Sequence, residues 1–256
     1  MPTPPTAPSL LAVFAHPDDE SLAAGGILAR HAAAGARTAV VTATWAAGTH
    51  RADELAEALR ILGAGAPRLL GYADARVPES APGEPRLCDA PLDEAVRRLV
   101  VHIREVRPEV VVTHDAYGGL TGHPDHLHTH RVTTLAVRAA GLEGLYPGDG
   151  PPWQPSALYL ATHPHSAVAA LSDVIGTRRA VHSVPDEHVT ATVDVGPWLD
   201  KKVAAILAHL SEVARGALPG LTASCTPAMR RRLLTTEWFT RHDPSPVAGP
   251  RSELTA

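Results

Sequence analysis

The sequence predicts an α/β protein: a single domain built as a Rossmann-like three-layer sandwich around a mostly parallel sheet. Three observations favour this fold class. Short apolar runs typical of buried strands alternate along the chain with longer amphipathic runs typical of helices. The 256 residues are enough for one large domain with a substantial core. The contents of hydrophobic residues (45%) and charged residues (20%) are ordinary for a globular protein.

The first half of the chain gives the clearest pattern. Its predicted strands are short and mainly apolar, as expected for strands covered by helices on both faces. Its predicted helices carry apolar residues on one face, and Pro108 and Pro124 mark the end of one helix and the beginning of the next. The predicted elements are, in chain order, strand Leu10–Phe14, helix Ser21–Gly35, strand Thr38–Thr44, helix Arg51–Leu62, strand Arg68–Gly71, helix Leu92–Val106, strand Val110–Thr113 and helix Pro124–Ala140.

The second half gives a weaker pattern. Strands are predicted at Ala157–Ala161 and Val189–Val193, and a helix at Trp198–Leu210. The domain boundaries follow from composition, since both termini lack periodic apolar residues. The expected division of the chain is a disordered N-terminus at 1–8, the folded domain at 9–242 and a disordered tail at 243–256.

Two polar clusters follow the first and fourth predicted strands. Residues 15–20 read Ala-His-Pro-Asp-Asp-Glu, and residues 122–126 read Gly-His-Pro-Asp-His. Right-handed crossovers between parallel strands predict the strand order 3-2-1-4, in which strands one and four are neighbours. Ligands of open α/β sheets bind beyond the carboxyl ends of the strands, where the strand order reverses. The topology therefore predicts that both clusters lie in one crevice.

The chemistry of these clusters indicates a metal site. One imidazole and two carboxylates within four residues would repel one another without a partner, and a divalent cation is the simplest one. A catalytic zinc ion commonly has three protein ligands and an open position for water. We predict His16, Asp19 and His126 as these ligands. The alternative for Asp19 is a helix-capping role, which would leave the histidines unexplained.

The two clusters, each following an apolar strand, resemble those of the PIG-L/LmbE-like family of zinc-dependent N-deacetylases. The resemblance extends from about Leu10 to about Phe239. It implies the same three metal ligands and Zn²⁺ as the cofactor, although Fe²⁺ or another divalent ion suits the same ligand types. It also implies that Asp18 is the general base that takes a proton from the attacking water. The alternative for Asp18 is a loop carboxylate that binds backbone amides.

The resemblance gives His123 a catalytic role as well, either stabilising the tetrahedral oxyanion or protonating the leaving amine. The alternative is a residue that only orients another side chain. Asp125 is expected to bind one of the imidazoles and fix its tautomer. His130 lies four residues after His126, but a complete ligand set exists without it. We therefore expect His130 to be structural or to lie at the edge of the substrate, and His128 to face solvent.

Two further residues are candidates for substrate binding. In the family, an arginine at the position of Arg51 holds polar groups of the substrate, and a guanidinium suits hydroxyl or phosphate groups because it donates several hydrogen bonds. The alternative is a surface pair between Arg51 and Glu54. Asp74 follows the third strand and could accept bonds from sugar hydroxyls, with a loop-stabilising carboxylate as its alternative.

Within the family, the nearest resemblance is to the mycothiol deacetylase and mycothiol S-conjugate amidase branch. That branch has a tyrosine before the second cluster, whereas Leu120 and Thr121 occupy this place here. Tyr117 is an alternative source of a hydroxyl. We expect the loop 77–91, the insertion at Leu120 and Thr121, and the loop 141–155 to wall the crevice and select the substrate. The segments that carry the resemblance are 71–74, 77–80, 113–126, 198–202 and 208–209.

Three classes of function are compatible with a polar crevice of this kind. The favoured one is a hydrolase that removes an N-acyl group, usually acetyl, from an amino sugar or glycosylated metabolite. The second is a non-catalytic metal- or ligand-binding module, which would need neither Asp18 nor His123. The third is a nucleotide-dependent enzyme, which would need a glycine-rich turn after the first strand, where His-Pro-Asp-Asp stands instead.

Composition excludes several partners. The net charge of −4 and the aromatic content of 4% argue against nucleic acid and anionic membranes as partners. No apolar run is long enough for a signal peptide or a membrane span. Cys88 and Cys225 lack metal-type spacing, as expected for two reduced thiols. We therefore expect a cytoplasmic protein that acts on a small molecule, and the sequence leaves a homo-oligomeric state open.

Overall fold

A mixed β-sheet lies at the centre of the protein, in a computed structural model that describes residues 7–168 and 181–244. The strand order in the sheet is β3-β2-β1-β4-β5-β7-β6. The first five of these strands run parallel, and β7 pairs antiparallel with both β5 and β6. The strands are β1 (Leu10–Phe14), β2 (Thr38–Thr44), β3 (Arg68–Tyr72), β4 (Val110–His114), β5 (Ala157–Thr162), β6 (Ala191–Asp194) and β7 (Thr236–His242).

Helices cover both faces of this sheet. One hydrophobic core joins the sheet to α3 and α4, and the other joins it to α1, α2 and α5. None of the described helices combines the length and the apolar character needed to cross a membrane. The helices are α1 (Asp19–Ala33), α2 (His50–Leu62), α3 (Leu92–Val106), α4 (Pro124–Ala139), α5 (Leu199–Ala208), α6 (Leu210–Ala214), α7 (Leu218–Ser224) and α8 (Pro227–Leu234).

Strand β1 illustrates why the sequence folds into three layers. All five of its residues are buried, and their side chains alternate between the two cores. Leu11 and Val13 belong to the core beneath α3 and α4, whereas Leu10, Ala12 and Phe14 belong to the core beneath α1 and α2. An apolar strand without polar alternation is therefore the expected sequence for this central position.

The predicted α/β class, the mostly parallel sheet and the order 3-2-1-4 are confirmed. The predicted helix Trp198–Leu210 is divided into α5 and α6, and His209 between them has a non-helical backbone. The strand predicted at Val189–Val193 lies at Ala191–Asp194. The helices α7 and α8 and the strand β7 were not predicted. The predictions for the termini concern mainly residues 1–6 and 245–256, which lie outside the described residues.

Candidate metal centre and adjoining cavities

Three side chains converge beyond the carboxyl ends of β1 and β4. The Nδ1 atom of His16 lies 3.2 Å from Oδ2 of Asp19 and 3.1 Å from Nε2 of His126. The same Asp19 oxygen lies 3.2 Å from Nε2 of His126. A tetrahedral zinc ion with ligands at about 2.0–2.1 Å holds them about 3.3 Å apart. The three buried atoms therefore form a triangle of the size and chemistry that a divalent cation requires.

The outer ring nitrogens fix the tautomers of both histidines. The Nε2 atom of His16 lies 3.2 Å from Oδ2 of Asp125 and 3.4 Å from Oδ2 of Asp74. The Nδ1 atom of His126 lies 3.0 Å from the carbonyl oxygen of Gly118. Because the outer nitrogens are engaged in this way, His16 Nδ1 and His126 Nε2 are the atoms that would offer lone pairs to a metal in the triangle. The expected contact between Asp125 and an imidazole is present.

The electrostatics of the triangle favour a cation. Burial lowers the pKa of His16, but hydrogen bonds to Asp125 and Asp19 outweigh burial and raise it to about 10. The pKa of Asp19 is held well below its ordinary value, because contacts with His126, His114 and His16 outweigh its burial. An imidazole surrounded by carboxylates attracts positive charge, and a divalent ion satisfies the same field.

Asp18 is separated from this triangle by its backbone conformation. It is the residue before α1 and has φ 126° and ψ −30°, outside the regions that most residues adopt. Its backbone N–H donates to Oε2 of Glu20 at 3.0 Å. Asp19 is the first residue of α1, and its carboxylate accepts a bond from the backbone N–H of His16 at 2.9 Å. The Asp19 carboxylate is thus held at the triangle, whereas the Asp18 carboxylate contacts Arg51.

Arg51 is the charged partner of Asp18. Its Nη2 atom lies 3.3 Å from Oδ1 of Asp18, and its Nη1 atom lies 3.3 Å from Oε1 of Glu212. The guanidinium also donates to the carbonyl of Pro17 and lies over the ring of Trp45. Burial and the neighbouring Asp19 raise the pKa of Asp18 to about 7, and Arg51 opposes this rise.

The alternative of a surface pair between Arg51 and Glu54 is wrong. Arg51 is 4% exposed and turns towards Asp18, whereas the Glu54 carboxylate accepts bonds from the backbone N–H and hydroxyl of Ser211. Arg51 and Asp74 both line the cleft described below. The Oδ1 atom of Asp74 accepts a bond from the backbone N–H of Arg76 at 2.7 Å, so it also stabilises its own loop.

His123 caps the N-terminus of α4. Its Nδ1 atom accepts a bond from the backbone N–H of Asp125 at 3.2 Å, so the ring proton is on Nε2. Burial and the neighbouring imidazoles of His16 and His126 lower the pKa of His123 to about 4. Its ring lies edge-on to that of His16, with a centroid distance of 4.6 Å. His123 therefore presents a neutral N–H donor beside the triangle.

The sequence analysis missed His114 at the end of β4. Its ring stacks on His126 with a centroid distance of 4.0 Å, and its Nε2 atom lies 3.5 Å from Oδ2 of Asp19. The same Nε2 atom accepts a bond from the backbone N–H of Ala15, which occupies its lone pair. His114 thus supports the ring of His126 by stacking and lies close to Asp19. Its position at the carboxyl end of a central strand could have indicated it.

The sequence analysis also missed a buried pair between Glu20 and His209. The Oε1 atom of Glu20 lies 3.0 Å from Nε2 of His209, and both side chains are fully buried. Glu20 raises the pKa of His209 against the opposing effect of burial. The pair connects the turn at Asp18 with the junction between α5 and α6, 189 residues later in the chain.

Three other side chains were considered at the sequence level. His128 is buried, so the expectation that it faces solvent is wrong. The Nδ1 atom of His130 lies 2.9 Å from the carbonyl oxygen of His114, as expected for a structural role. Tyr117 is 50% exposed and its ring lies parallel to that of His182. Tyr117 lines neither of the two cavities that adjoin the triangle.

Two cavities meet at Asp19 and His126. We call the larger one the polar cleft; it has a volume of about 730 Å³ and also contains His16, Asp18 and His123. We call the smaller one the apolar cavity; it has a volume of about 130 Å³. Leu120 and Thr121 line the polar cleft as expected, whereas Val77 is the only residue of the loop 77–91 among the described lining residues.

The loop 141–155 lines neither cavity, contrary to expectation. The Arg104 guanidinium donates to the carbonyls of Leu142, Leu145 and Tyr146 and holds this loop against α3. Segment 211–218 lines the polar cleft instead. This segment follows the junction between α5 and α6, and its lining residues are Ser211, Glu212, Arg215, Gly216, Ala217 and Leu218.

Comparison with known proteins connects this site with sugar deacetylases. Residues 11–137 match the family model PIG-L, described as GlcNAc-PI de-N-acetylase. The 1D-myo-inositol 2-acetamido-2-deoxy-alpha-D-glucopyranoside deacetylase of Rhodococcus jostii (strain RHA1) is 41% identical, over 80% of this chain and 81% of its own. The protein of the same name from Thermobifida fusca (strain YX) is 33% identical, over 94% of this chain and 95% of its own.

Solved structures share the fold. A conserved protein of Thermus thermophilus superposes with a TM-score of 0.65 and 28% identity, and covers 97% of this chain and 100% of its own. The N,N'-diacetylchitobiose deacetylase of Pyrococcus horikoshii has a TM-score of 0.64 at 20% identity, and covers 93% of this chain and 85% of its own. Sequence identities above 30% over most of the chain establish its relationship, and the protein belongs to the PIG-L family.

Proposed function

We propose that this protein is a metal-dependent N-deacetylase, with Zn²⁺ as its metal, that hydrolyses the N-acyl amide of an amino sugar or glycosylated metabolite. The observation that carries the proposal is the triangle of His16 Nδ1, Asp19 Oδ2 and His126 Nε2 beside the buried carboxylate of Asp18. The relatives named as deacetylases of an acetamido sugar linked to inositol support the choice of substrate class.

The three triangle residues would hold the metal, and the open side of the triangle adjoins the polar cleft. When bound, the metal supplies Lewis-acid chemistry, which polarises the amide carbonyl and makes water more acidic. One carboxylate among three ligands leaves a net positive charge for this purpose. The nitrogen and carboxylate ligands suit Zn²⁺, and Fe²⁺ is an alternative occupant because these ligand types select weakly.

Asp18 is the proposed general base. Its carboxylate lies beside the triangle without belonging to it, and the raised pKa of about 7 brings its proton affinity close to neutral pH. Arg51 keeps this carboxylate in one orientation at a distance of 3.3 Å. A general base must be ionised before it accepts a proton, and the guanidinium favours that state.

His123 is the proposed stabiliser of the oxyanion. Its Nδ1 atom is engaged by a backbone N–H, which leaves the Nε2–H group as a donor towards the crevice. A neutral donor fixed before the reaction stabilises a developing negative charge without rearrangement. The alternative, a proton donor to the leaving amine, would require a protonated ring, and the cap bond to Nδ1 disfavours protonation.

The polar cleft is the proposed sugar site. It is lined by charged and hydrogen-bonding side chains suited to hydroxyl groups, among them His50, Arg51, Asp74, Arg76 and Arg215. Its volume of about 730 Å³ is within the range of small-molecule sites, roughly 300–1,000 Å³. We propose that Asp74 accepts bonds from sugar hydroxyls, and that Arg51 contributes to substrate binding from the wall beside Asp18.

The decisive experiment combines metal analysis with amine release. The purified protein is stripped with a chelator, reloaded with Zn²⁺, Fe²⁺ or Mg²⁺, and assayed on N-acetylglucosamine and its inositol glycoside. We expect about one tightly bound metal ion per chain and amine release that depends on it. Metal binding without amine release from any substrate would instead support a non-catalytic binding module, and no metal binding would overturn the proposal.

A further inference from the structure

The apolar cavity opens beside the same two candidate ligands as the polar cleft, but on the side of the C-terminal helices. It shares Asp19, Leu22, Leu120, Thr121, His126 and Leu218 with the polar cleft. Its remaining walls come mainly from α7, α8 and β7. The apolar residues that line it and not the cleft are Ala23, Ala161, Leu221, Cys225, Leu233, Leu234 and Trp238.

The charged groups in the wall of this cavity are neutralised. The Nζ atom of Lys202 lies 2.7 Å from Oε1 of Glu237, and both side chains are 2% exposed. The same carboxylate accepts bonds from the backbone N–H groups of Gly26 and Ile27. Burial lowers the pKa of His163 to about 4, so this ring is neutral. An apolar group that enters the cavity would therefore not displace water from unpaired charges of Lys202, Glu237 or His163.

Arg230, another cation in the wall, is bound by backbone carbonyl oxygens. The guanidinium of Arg230 donates to the carbonyl oxygens of Thr222 and Ala223 at 3.0 and 2.9 Å. These bonds join the end of α7 to α8. The wall is thus a fixed surface made by two short helices.

We propose that the apolar cavity receives the acyl group of the substrate, and that N-acyl chains of about four to six carbons are preferred over acetyl. The proposal rests on the proposed function. The sugar nitrogen and the acyl chain leave the carbonyl carbon in different directions. A substrate with its sugar in the polar cleft and its carbonyl at Asp19 and His126 therefore directs its acyl chain into the apolar cavity.

The chemistry is the same for a long and a short acyl group. Water adds to the carbonyl carbon, the C–N bond breaks, the acyl fragment leaves as a carboxylate, and the nitrogen leaves as an ammonium group that has received both protons of the water. The length limit follows from volume. A cavity of about 150 Å³ holds a benzene molecule of six carbons, and the apolar cavity of about 130 Å³ is slightly smaller.

The test is a chain-length series on the metal-loaded enzyme. Glucosamine carrying acetyl, butanoyl, hexanoyl or decanoyl groups is assayed for amine release. A buried methylene group contributes up to about a fourfold gain, so we expect kcat/KM to rise at least tenfold from acetyl to hexanoyl and to fall again for decanoyl. Calorimetric titration with the products should show tighter binding of hexanoate than of acetate.

A variant that fills the apolar cavity, together with a matched control, tests where the acyl chain binds. Leu221→Trp reduces the space in the cavity without touching the polar cleft, and should lower the hexanoyl-to-acetyl ratio of kcat/KM at least tenfold. Leu142→Trp is the control, because Leu142 is 54% exposed and lies outside both cavities. Leu233→Phe is a second filling variant for the case that Leu221→Trp does not fold.

The outcomes separate this inference from the proposed function. Hydrolysis of the acetyl substrate with little or none of the hexanoyl substrate overturns the acyl-chain proposal and leaves the deacetylase intact. An equal loss on both substrates in the filled variants also overturns it. Failure to hydrolyse any of the four substrates counts against the proposed function itself. A hexanoyl preference that Leu221→Trp abolishes and Leu142→Trp retains supports the proposal.

Discussion

The carboxylate of Asp18 lies 3.3 Å from the guanidinium of Arg51, and both side chains are buried. Glu212 holds the other end of the guanidinium at the same distance. Arg51 therefore binds one carboxylate from the turn after β1 and one from α6. Removal of one partner of a buried ion pair strongly destabilises a folded protein, because the remaining charge is left without compensation.

We expect Arg51→Ala to lower both stability and turnover. The buried carboxylate of Asp18 loses its charged partner and Glu212 keeps only Arg215, which should cost about 3 kcal/mol in the free energy of unfolding. Turnover should fall at least tenfold, because Asp18 loses its orientation. The control is Arg60→Ala on the same helix, where an exposed pair with Glu57 contributes little. Thermal unfolding and kcat measurements decide this, and an Arg51→Ala protein with wild-type stability would contradict the buried pairing.

Replacement of the two adjacent carboxylates should separate metal binding from catalysis. We expect Asp18→Asn to keep the metal and lose turnover by about 10²-fold or more, because Oδ1 of Asp18 lies outside the ligand triangle. Asp19→Asn should lose most of the metal, since its Oδ2 atom belongs to the triangle. Elemental analysis after dialysis gives the metal content. Equal metal loss in both variants would show that Asp18 is a ligand.

Asp125→Asn tests whether the hydrogen bond from His16 to Asp125 helps His16 to bind the metal. The carboxylate accepts from Nε2 of His16 at 3.2 Å and from the backbone N–H of Ala75 at 2.8 Å, so its loss should loosen the imidazole. Such outer contacts typically contribute about 10–100-fold in metal affinity. We expect a decrease of about that size in a competition titration with a chelator. Asp89→Asn, on an exposed carboxylate, is the control and should leave the affinity unchanged.

The pair between Glu20 and His209 should make stability depend on pH. The pKa of His209 is raised in the folded protein, so the stabilising contribution of the protonated ring is complete below about pH 6.5. This contribution is lost as pH rises through the raised pKa of the folded state. We therefore expect the difference in Tm between the wild type and His209→Gln to be largest in mild acid and to shrink as pH rises through the raised pKa of His209.

The charges that face His209 are those of Glu20, Asp18 and Arg51, and the two carboxylates favour its protonation. The metal content must be kept equal in both proteins during the pH series. A Tm difference that stays constant from about pH 6 to about pH 9 would show that His209 is neutral in the pair.

Two neighbouring glycines in α1 should respond differently to alanine. A Cβ atom on Gly26 would lie 2.4 Å from Cβ of Val195, whereas one on Gly25 would lie 3.2 Å from Cγ of Lys202, a side chain that can shift. We expect Gly26→Ala to destabilise the protein by about 2 kcal/mol through overpacking. Gly25→Ala should change stability by less than about 1 kcal/mol, because the helix gains propensity. Denaturant unfolding of both variants provides the comparison.

The sequence predicted the parallel part of the fold because the responsible signals are local. Apolar runs mark β1, β2 and β4, prolines mark the boundaries of α3 and α4, and the crossover rule determines the strand order. The two polar clusters then come together at neighbouring strand ends. The convergence of His16, Asp19 and His126 was predictable for this reason, without any knowledge of side-chain geometry.

The remaining parts depend on contacts between distant segments. The helices α6, α7 and α8 have five, seven and eight residues, too few for a periodic apolar face to stand out. Strand β7 pairs with β5, which lies far before it in the chain, and no local signal encodes that pairing. The partnership of Arg51 with Glu212 was missed for the same reason.

The candidate metal ligands and most of the apolar wall of the apolar cavity come from different regions of the chain. The candidate ligands all lie within the matched segment 11–137, whereas α7, α8 and β7 lie beyond it. Substitutions in α7, α8 and β7 can therefore change the shape of the apolar cavity without replacing a candidate metal ligand. The chain thus separates the residues that would hold the metal from most of those that would select the acyl group.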